Sequence, residues 1–212
     1  MDGYAGYNKM LNVSRVGCMA HVRRKFDKAL KALPSSAAGS YASQAIDMIG
    51  QLYGIEKIIS SEPPDKKYLI RQNQSLPILH KIKAWLDDLH PKVLPHSLLG
   101  KAINYALEQW YAVSRYVDDG RLAIDNNIAE REIKSFVIGR KNWLFSDSTD
   151  GAYASAVMYS LVNTAKANGI NPYQYLYHLF EKMPYATTVD DVRELLPWFA
   201  SNTAYNNELK AA

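Results

Sequence analysis

The sequence has little of what marks secreted or membrane proteins. It contains one cysteine, Cys18, among 212 residues, which excludes an intramolecular disulfide and a zinc site built from several cysteines. Its first residues have neither the basic segment nor the apolar run of a signal peptide. No apolar stretch approaches the roughly 20 residues that cross a bilayer. We therefore expect a soluble, cytoplasmic protein with no membrane partner.

Neither sign of charge is in large excess. Lys and Arg number 25 against 21 Asp and Glu, which gives a net charge of +4 at neutral pH. This balance permits nucleic-acid contacts without requiring them, so the positions of the basic residues matter more than their number. Hydrophobic residues make up 48% of the chain, which is an ordinary proportion for a globular protein.

The spacing of apolar residues predicts a mainly helical chain. A brief apolar run at residues 16–20 favours one buried strand. From His21 onward the pattern is helical, with Val22 and Phe26 on one face and several basic residues around the rest. Residues 41–117 indicate several amphipathic helices separated by proline-containing breaks. The helices continue beyond that region to about residue 196.

Five ordered blocks of sequence carry the most information about function. They are DGYAGY at residues 2–7, CMAHVRRKF at 18–26, LAIDNNIAEREI at 122–133, IGRKNWLF at 138–145 and TAKANGINPY at 164–173. Together they resemble the blocks of insertion-sequence-66-type DDE transposases, with Met19 where a tryptophan is usual. The blocks are long and extend over nearly the whole chain, so a coincidental match is implausible.

The resemblance implies a ribonuclease H-like catalytic core with a helical insertion before the last acidic residue. For this chain we expect a mainly α fold: a truncated ribonuclease H-like core that keeps one or two short strands, with the helical insertion. The predicted regions are a remnant of the core at 1–35, the insertion at 36–120, the catalytic-glutamate helix and a closing helix at 121–168, and a C-terminal helical segment at 169–212.

The resemblance also implies the chemistry. Members of the family hold two divalent ions, normally Mg²⁺ with Mn²⁺ as an alternative, between two aspartates and a glutamate. Hard cations of this kind prefer carboxylate oxygens, and the ions promote in-line attack on phosphorus. Carried over to this sequence, Asp2 is the second aspartate and Glu130 is the glutamate. Both are predicted catalytic residues and metal ligands.

The family's first aspartate belongs to a strand that precedes the Asp2 block. The chain is therefore expected to lack one metal ligand, to bind metal weakly and to be inactive alone. The alternative is a non-catalytic remnant or regulator that binds DNA or full-length transposase; other proteins of the element are further candidate partners. Uncovered apolar surface on residues 16–33 and 154–165 is expected to favour self-association.

Glu130 also has a purely structural interpretation. Asp125 and Asn127 are predicted helix caps, because their side chains can accept hydrogen bonds from free backbone N–H groups. With Asn127 at the N-cap, Glu130 would occupy the third helical position and could close a capping box. The catalytic and the capping roles can coexist.

Several basic side chains are predicted to contact DNA at transposon ends and target. Cations bind backbone phosphates, and neighbouring aromatic rings can stack on unpaired bases. The alternatives are a merely solvated basic face for the first block and core packing of the aromatic rings for the later one. His21 is interpreted as a histidine hydrogen-bonded at a strand end, not as a zinc ligand. The candidate DNA contacts are Arg23, Arg24, Lys25, Arg131, Lys134, Arg140, Lys141, Asn142 and Trp143.

Overall fold

A computed structural model describes residues 13–34 and 39–200 of the protein. All regular structure in these residues is helical, which confirms the mainly α prediction. The predicted strand at residues 16–20 is wrong. Residues 13–18 are irregular, and the backbone there makes isolated bonds: Gly17 N–H donates to the Ala112 carbonyl (2.7 Å) and Met19 N–H to the Ile124 carbonyl (3.0 Å). A short apolar run does not by itself distinguish a strand from a buried helix start.

The described α-helices are α1 (Met19–Lys31), α2 (Tyr41–Ile58), α3 (Pro64–Ile70), α4 (Leu76–Leu89), α5 (Leu98–Ser114), α6 (Asn127–Trp143), α7 (Thr149–Ala167), α8 (Pro172–Lys182), α9 (Val189–Glu194) and α10 (Pro197–Ala200). A π-helical segment, Arg71–Ser75, joins α3 to α4. Short 3₁₀ turns follow three of the helices, at His90–Lys92, Arg115–Asp118 and Met183–Tyr185. None of the helices in the described residues is long and apolar enough to cross a membrane.

The chain divides into two compact units, residues 1–128 and 129–212. In the first unit, α1 packs against α2 and α5 and buries one face, on which Met19, Val22, Phe26 and Ala29 recur at helical spacing. This packing corrects the expectation of uncovered apolar surface on residues 16–33, because α2 and α5 cover that face. The four regions predicted from the sequence, 1–35, 36–120, 121–168 and 169–212, stay a prediction. The helix of the first region, α1, shares one hydrophobic core with α2, α4 and α5 of the second.

A buried arginine ties the helices of the first unit together. Arg71 is 2% exposed and forms two bonds to the Glu56 carboxylate on α2, at 2.6 and 2.9 Å. It also donates to the carbonyls of Tyr116 (2.9 Å) and Asp119 (3.0 Å), beyond the end of α5. Burial raises the pKa of Tyr116 to about 12. A buried guanidinium is tolerated when its donors are satisfied in this way.

The second unit has a small core of its own. Ala165, Ile170 and Tyr175 are buried where α7 meets α8, and the Tyr175 hydroxyl donates to the Leu195 carbonyl at 3.1 Å. Burial raises the pKa of Tyr175 to about 12. Towards the other end of α7 the apolar stripe is only partly covered, with Val157 exposed.

Candidate functional site

Asp125 organises the segment that leads into α6. Its Oδ1 atom accepts the backbone N–H of Asn127 at 3.1 Å, and its Oδ2 atom accepts the Asn127 side-chain amide at 2.8 Å. Asp125 thus satisfies one of the free N–H groups at the start of the helix. Because α6 begins at Asn127 itself, Asn127 is the first helical residue and acts as a donor to Asp125. Counted from Asn127 as the first helical residue, Glu130 is the fourth, one position beyond the third helical position at which a capping box places its carboxylate.

A long-range hydrogen bond reinforces this segment. The Tyr53 hydroxyl on α2 donates to Asp125 Oδ2 at 2.8 Å. Burial raises the pKa of Tyr53 above its ordinary value, and the bond to Asp125 adds to the rise. No sequence pattern pointed to Tyr53, which lies in the predicted helical insertion, far along the chain from Asp125.

One face of α6 carries both the predicted glutamate and predicted DNA contacts. At 100° per residue, Glu130, Lys134 and Lys141 fall within a narrow angular range along the helix. All three side chains are exposed. Arg131, Arg140 and Asn142 are also exposed, on flanking parts of the helix surface. An accessible carboxylate therefore lies in line with two ammonium groups.

The opposite face of α6 packs on α7. Phe136, Trp143 and Tyr159 form an aromatic cluster, with ring centroids 5.2 Å apart for Phe136 and Tyr159 and 5.7 Å apart for Trp143 and Tyr159. Ser135 on α6 also bonds Asn163 on α7 at 3.2 Å. This packing turns the Glu130 face away from α7.

The aromatic residues that end α6 have different surroundings. Trp143 is half-buried in the cluster, as the packing alternative predicted. Phe145 is 72% exposed and follows Leu144, whose φ of +64° lies in the left-handed region that non-glycine residues seldom adopt. Of the two rings, Phe145 is the one accessible for stacking. At Gly139, an added Cβ would lie 2.8 Å from the Trp143 ring, so a glycine permits this close packing.

The predicted metal ligands are not seen together. Asp2 lies outside the described residues, so its convergence with Glu130 stays a prediction. In the part of the chain that the structure describes, no group of three His, Cys, Asp or Glu side chains could hold a metal ion. The exposed Glu130 carboxylate has the donor chemistry of a hard-cation ligand. It would need further ligands to form a site.

The basic residues of the first block lie on α1 in the first unit. Arg23, Arg24 and Lys25 are all exposed. The Lys25 ammonium lies 5.1 Å from the centre of the Tyr105 ring, whereas Arg23 and Arg24 line a surface cleft. His21 lies in the first turn of α1 and not at a strand end, which corrects the sequence-based interpretation.

These features describe a helical protein that presents exposed basic side chains on two separate helices, an arrangement that permits contacts with nucleic acid. The comparison with protein families agrees. Residues 1–154 match the model described as the transposase IS66 family, and residues 160–198 match the IS66 C-terminal element. The chain belongs to the IS66 family of transposases.

Three similar proteins come from Sinorhizobium fredii. The uncharacterized protein y4jD is 33% identical over 93% of this chain and 40% of its own length. The uncharacterized proteins y4qI and y4hP are 30% and 29% identical over 93% and 90% of this chain, and over 38% and 36% of their own lengths. The chain thus spans about two-fifths of the length of the curated relatives that it matches. No solved structure is significantly similar to it.

Proposed function

We propose that this chain takes part in DNA transposition, as the portion of an IS66-type transposase that supplies the catalytic glutamate. Membership of the family supports the reaction class. The observation that carries the assignment of Glu130 is its position on α6: its side chain is exposed on the helix face opposite the one that packs on α7. That position leaves the carboxylate accessible to a hard cation.

The proposed reaction is an in-line displacement at phosphorus. Water or a DNA 3′-hydroxyl forms a new P–O bond while the bond to the leaving oxygen breaks. Bound divalent cations, Mg²⁺ or Mn²⁺, would supply the charge that activates the attacking oxygen and stabilises the leaving one. Glu130 and Asp2 are the proposed carboxylate ligands of this chain.

The rest of α6 is proposed to hold the DNA. Lys134 and Lys141, on the same face as Glu130, would bind backbone phosphates close to the reacting one. Arg131, Arg140 and Asn142 extend this contact along the helix surface, and the exposed Phe145 ring can stack on an unpaired base. Trp143 would then act mainly by packing, which fixes the end of the helix that carries these groups.

The proposal is tested by metal binding to the chain. Calorimetry with Mn²⁺ and Mg²⁺ would compare the parent with Glu130→Gln and with Glu132→Gln, a matched control whose side chain is also exposed on α6. Binding in the parent and in the control that is lost in Glu130→Gln is the expected result. Equal binding by all three proteins would contradict the role of Glu130, and no binding by any of them would mean that this chain alone forms no metal site.

A second function is favoured by one feature of α8. Tyr173, Tyr177 and Phe180 lie at helical spacing on one face and are 72%, 61% and 61% exposed. An exposed apolar face of this kind favours a protein partner, so we also propose that the chain joins a full-length transposase or a second copy of itself. Light scattering should show association by the parent that the double variant Tyr177→Ser/Phe180→Ser loses. A parent that is monomeric with and without full-length transposase would contradict this function.

A further inference from the structure

A cleft of about 580 Å³ lies between α1 and α2 in the first unit. One wall is formed by α1 and the other by α2, and the first residue of α6 also lines the cleft. Two sequence blocks, CMAHVRRKF and LAIDNNIAEREI, thus meet at one surface feature together with a helix of the predicted insertion. The residues that line the cleft are Ala20, Arg23, Arg24, Asp27, Lys31, Gly50, Tyr53 and Asn127.

The lining of the cleft is positively charged. It contains three cationic side chains and one carboxylate, that of Asp27. This carboxylate already forms an ion pair within α1, because Asp27 lies 2.7 Å from Lys31, one helical turn further on. Arg23 and Arg24 form no ion pair with any residue in the described part of the chain. Two guanidinium groups therefore line the cleft without an ion-pair partner among the described residues.

The walls of the cleft are held in place by contacts outside it. Arg23 and Arg24 project from a helix whose opposite face is anchored by the buried Val22 and Phe26. On the other side, the hydrogen bond to Asp125 fixes the Tyr53 hydroxyl. A site that is rigid before binding loses less conformational entropy when its ligand arrives.

The α2 wall of the cleft is open at Gly50. Apart from the backbone of α2 itself, no atom of the described residues lies within 4 Å of the position that a Cβ atom would take there. The volume lies in the range of small-ligand sites, so it accommodates a tetrahedral anion together with an attached sugar. Arginine forks match the geometry of phosphate oxygens and bind them through paired N–H donors.

We propose that this cleft binds a backbone phosphate of a DNA strand through Arg23 and Arg24. The choice of DNA as the ligand rests on the proposed function. The cleft is thus a proposed DNA contact in the first unit, separate from the one proposed for the α6 face in the second unit. Its role is to bind and position DNA, and it takes no part in the chemical step.

The test measures how binding of a short fluorescent DNA duplex depends on salt, with EDTA present so that no metal contributes. The double variant Arg23→Gln/Arg24→Gln is compared with Lys81→Gln/Lys101→Gln. The control removes the same charge from exposed positions on α4 and α5 that do not line the cleft. Each lost phosphate contact should reduce the slope of log K against log salt by about 1. We expect this slope to fall in the arginine variant and to stay unchanged in the lysine variant.

Other outcomes overturn the proposal. An equal change in both double variants would mean that only net charge matters, and no change in the arginine variant, or no binding by the parent, would exclude the cleft. Urea unfolding checks that the variants keep the parent's stability. If metal binding proves independent of Glu130 while the arginine effect persists, the catalytic proposal fails and the cleft remains a DNA site.

Discussion

The Tyr53 hydroxyl donates to Asp125 Oδ2 across 2.8 Å and so joins the middle of α2 to the segment that leads into α6. The same carboxylate holds the backbone and the side chain of Asn127. A helix of the predicted insertion therefore helps to fix the start of the helix whose first turn carries Glu130. The α2 helix acts here as a structural support for that helix start.

Replacing Tyr53 with phenylalanine should destabilise the first unit. The variant keeps the ring but removes a hydrogen bond to a charged group, which is worth roughly 1.5–3 kcal/mol. Urea unfolding followed by circular dichroism would measure the loss. Tyr68→Phe is the control, because the Tyr68 hydroxyl on α3 makes no hydrogen bond in the described structure. Similar stabilities for the two variants would show that the Tyr53 bond contributes little.

Breaking the buried ion pair of Arg71 and Glu56 should destabilise the first unit more than the loss of the Tyr53 hydrogen bond does. Arg71→Met would leave the Glu56 carboxylate without its partner and would remove one donor from each of two backbone carbonyls. Breaking a buried pair by removing one member costs about 3–5 kcal/mol, because the remaining charge is uncompensated. We expect a corresponding fall in the free energy of unfolding, measured by urea denaturation.

An exposed pair provides the control for Arg71. Lys66 and Glu62 lie 2.9 Å apart on the surface, so Lys66→Met should change stability by less than about 1 kcal/mol. If the two methionine variants were equally stable, the buried pair would not be holding the helices of the first unit together.

The sequence predicted those features that depend on local pattern. The buried face of α1 followed from the spacing of Val22 and Phe26, because a helix places residues three or four apart on one side. The strand predicted at residues 16–20 was wrong because a run of five residues is too short to reveal a period. Asn127 entered the helix as its first residue because Asp125 already accepts its N–H group.

The long-range contacts could not be predicted in this way. Arg71 is a long polar residue in a helical stretch, and nothing local indicates that Glu56 and two carbonyl groups surround it. The bond from Tyr53 to Asp125 likewise depends on how α2 packs. Glu130 was singled out by resemblance to a family, and the structure adds that its side chain is exposed.

Gly139 provides a test of the α6–α7 packing. An alanine Cβ there would meet the Tyr159 hydroxyl and would lie 2.8 Å from the Trp143 ring. Overpacking of this kind costs roughly 1–3 kcal/mol, which should outweigh the gain of up to about 1 kcal/mol that alanine brings within a helix. Gly139→Ala should therefore lower the thermal midpoint of the second unit.

The sign of the effect at Gly139 can be checked against another helical glycine. Apart from the backbone of α2 itself, no atom of the described residues lies within 4 Å of the Cβ position on Gly54, so Gly54→Ala should be stabilising by about 0.5–1 kcal/mol. A stabilising Gly139→Ala would contradict the close packing of the aromatic cluster.

The ion pair between Arg121 and Asp119, in the turn after α5, should depend on pH. The Arg121 side chain binds the Asp119 carboxylate at 2.6 Å, its backbone N–H adds a bond at 2.8 Å, and together they lower the Asp119 pKa to about 2. Because the pKa is lowered in the folded state, the stabilisation is present above the ordinary pKa of about 4 and is lost as pH falls towards 2.

Arg121→Gln should raise the Asp119 pKa towards its ordinary value in a carbon-13 NMR titration. Arg115→Gln is the control, since Arg115 lies over the Tyr111 ring, 4.6 Å from its centre. An Asp119 pKa that Arg121→Gln leaves unchanged would show that the pair does not hold in solution.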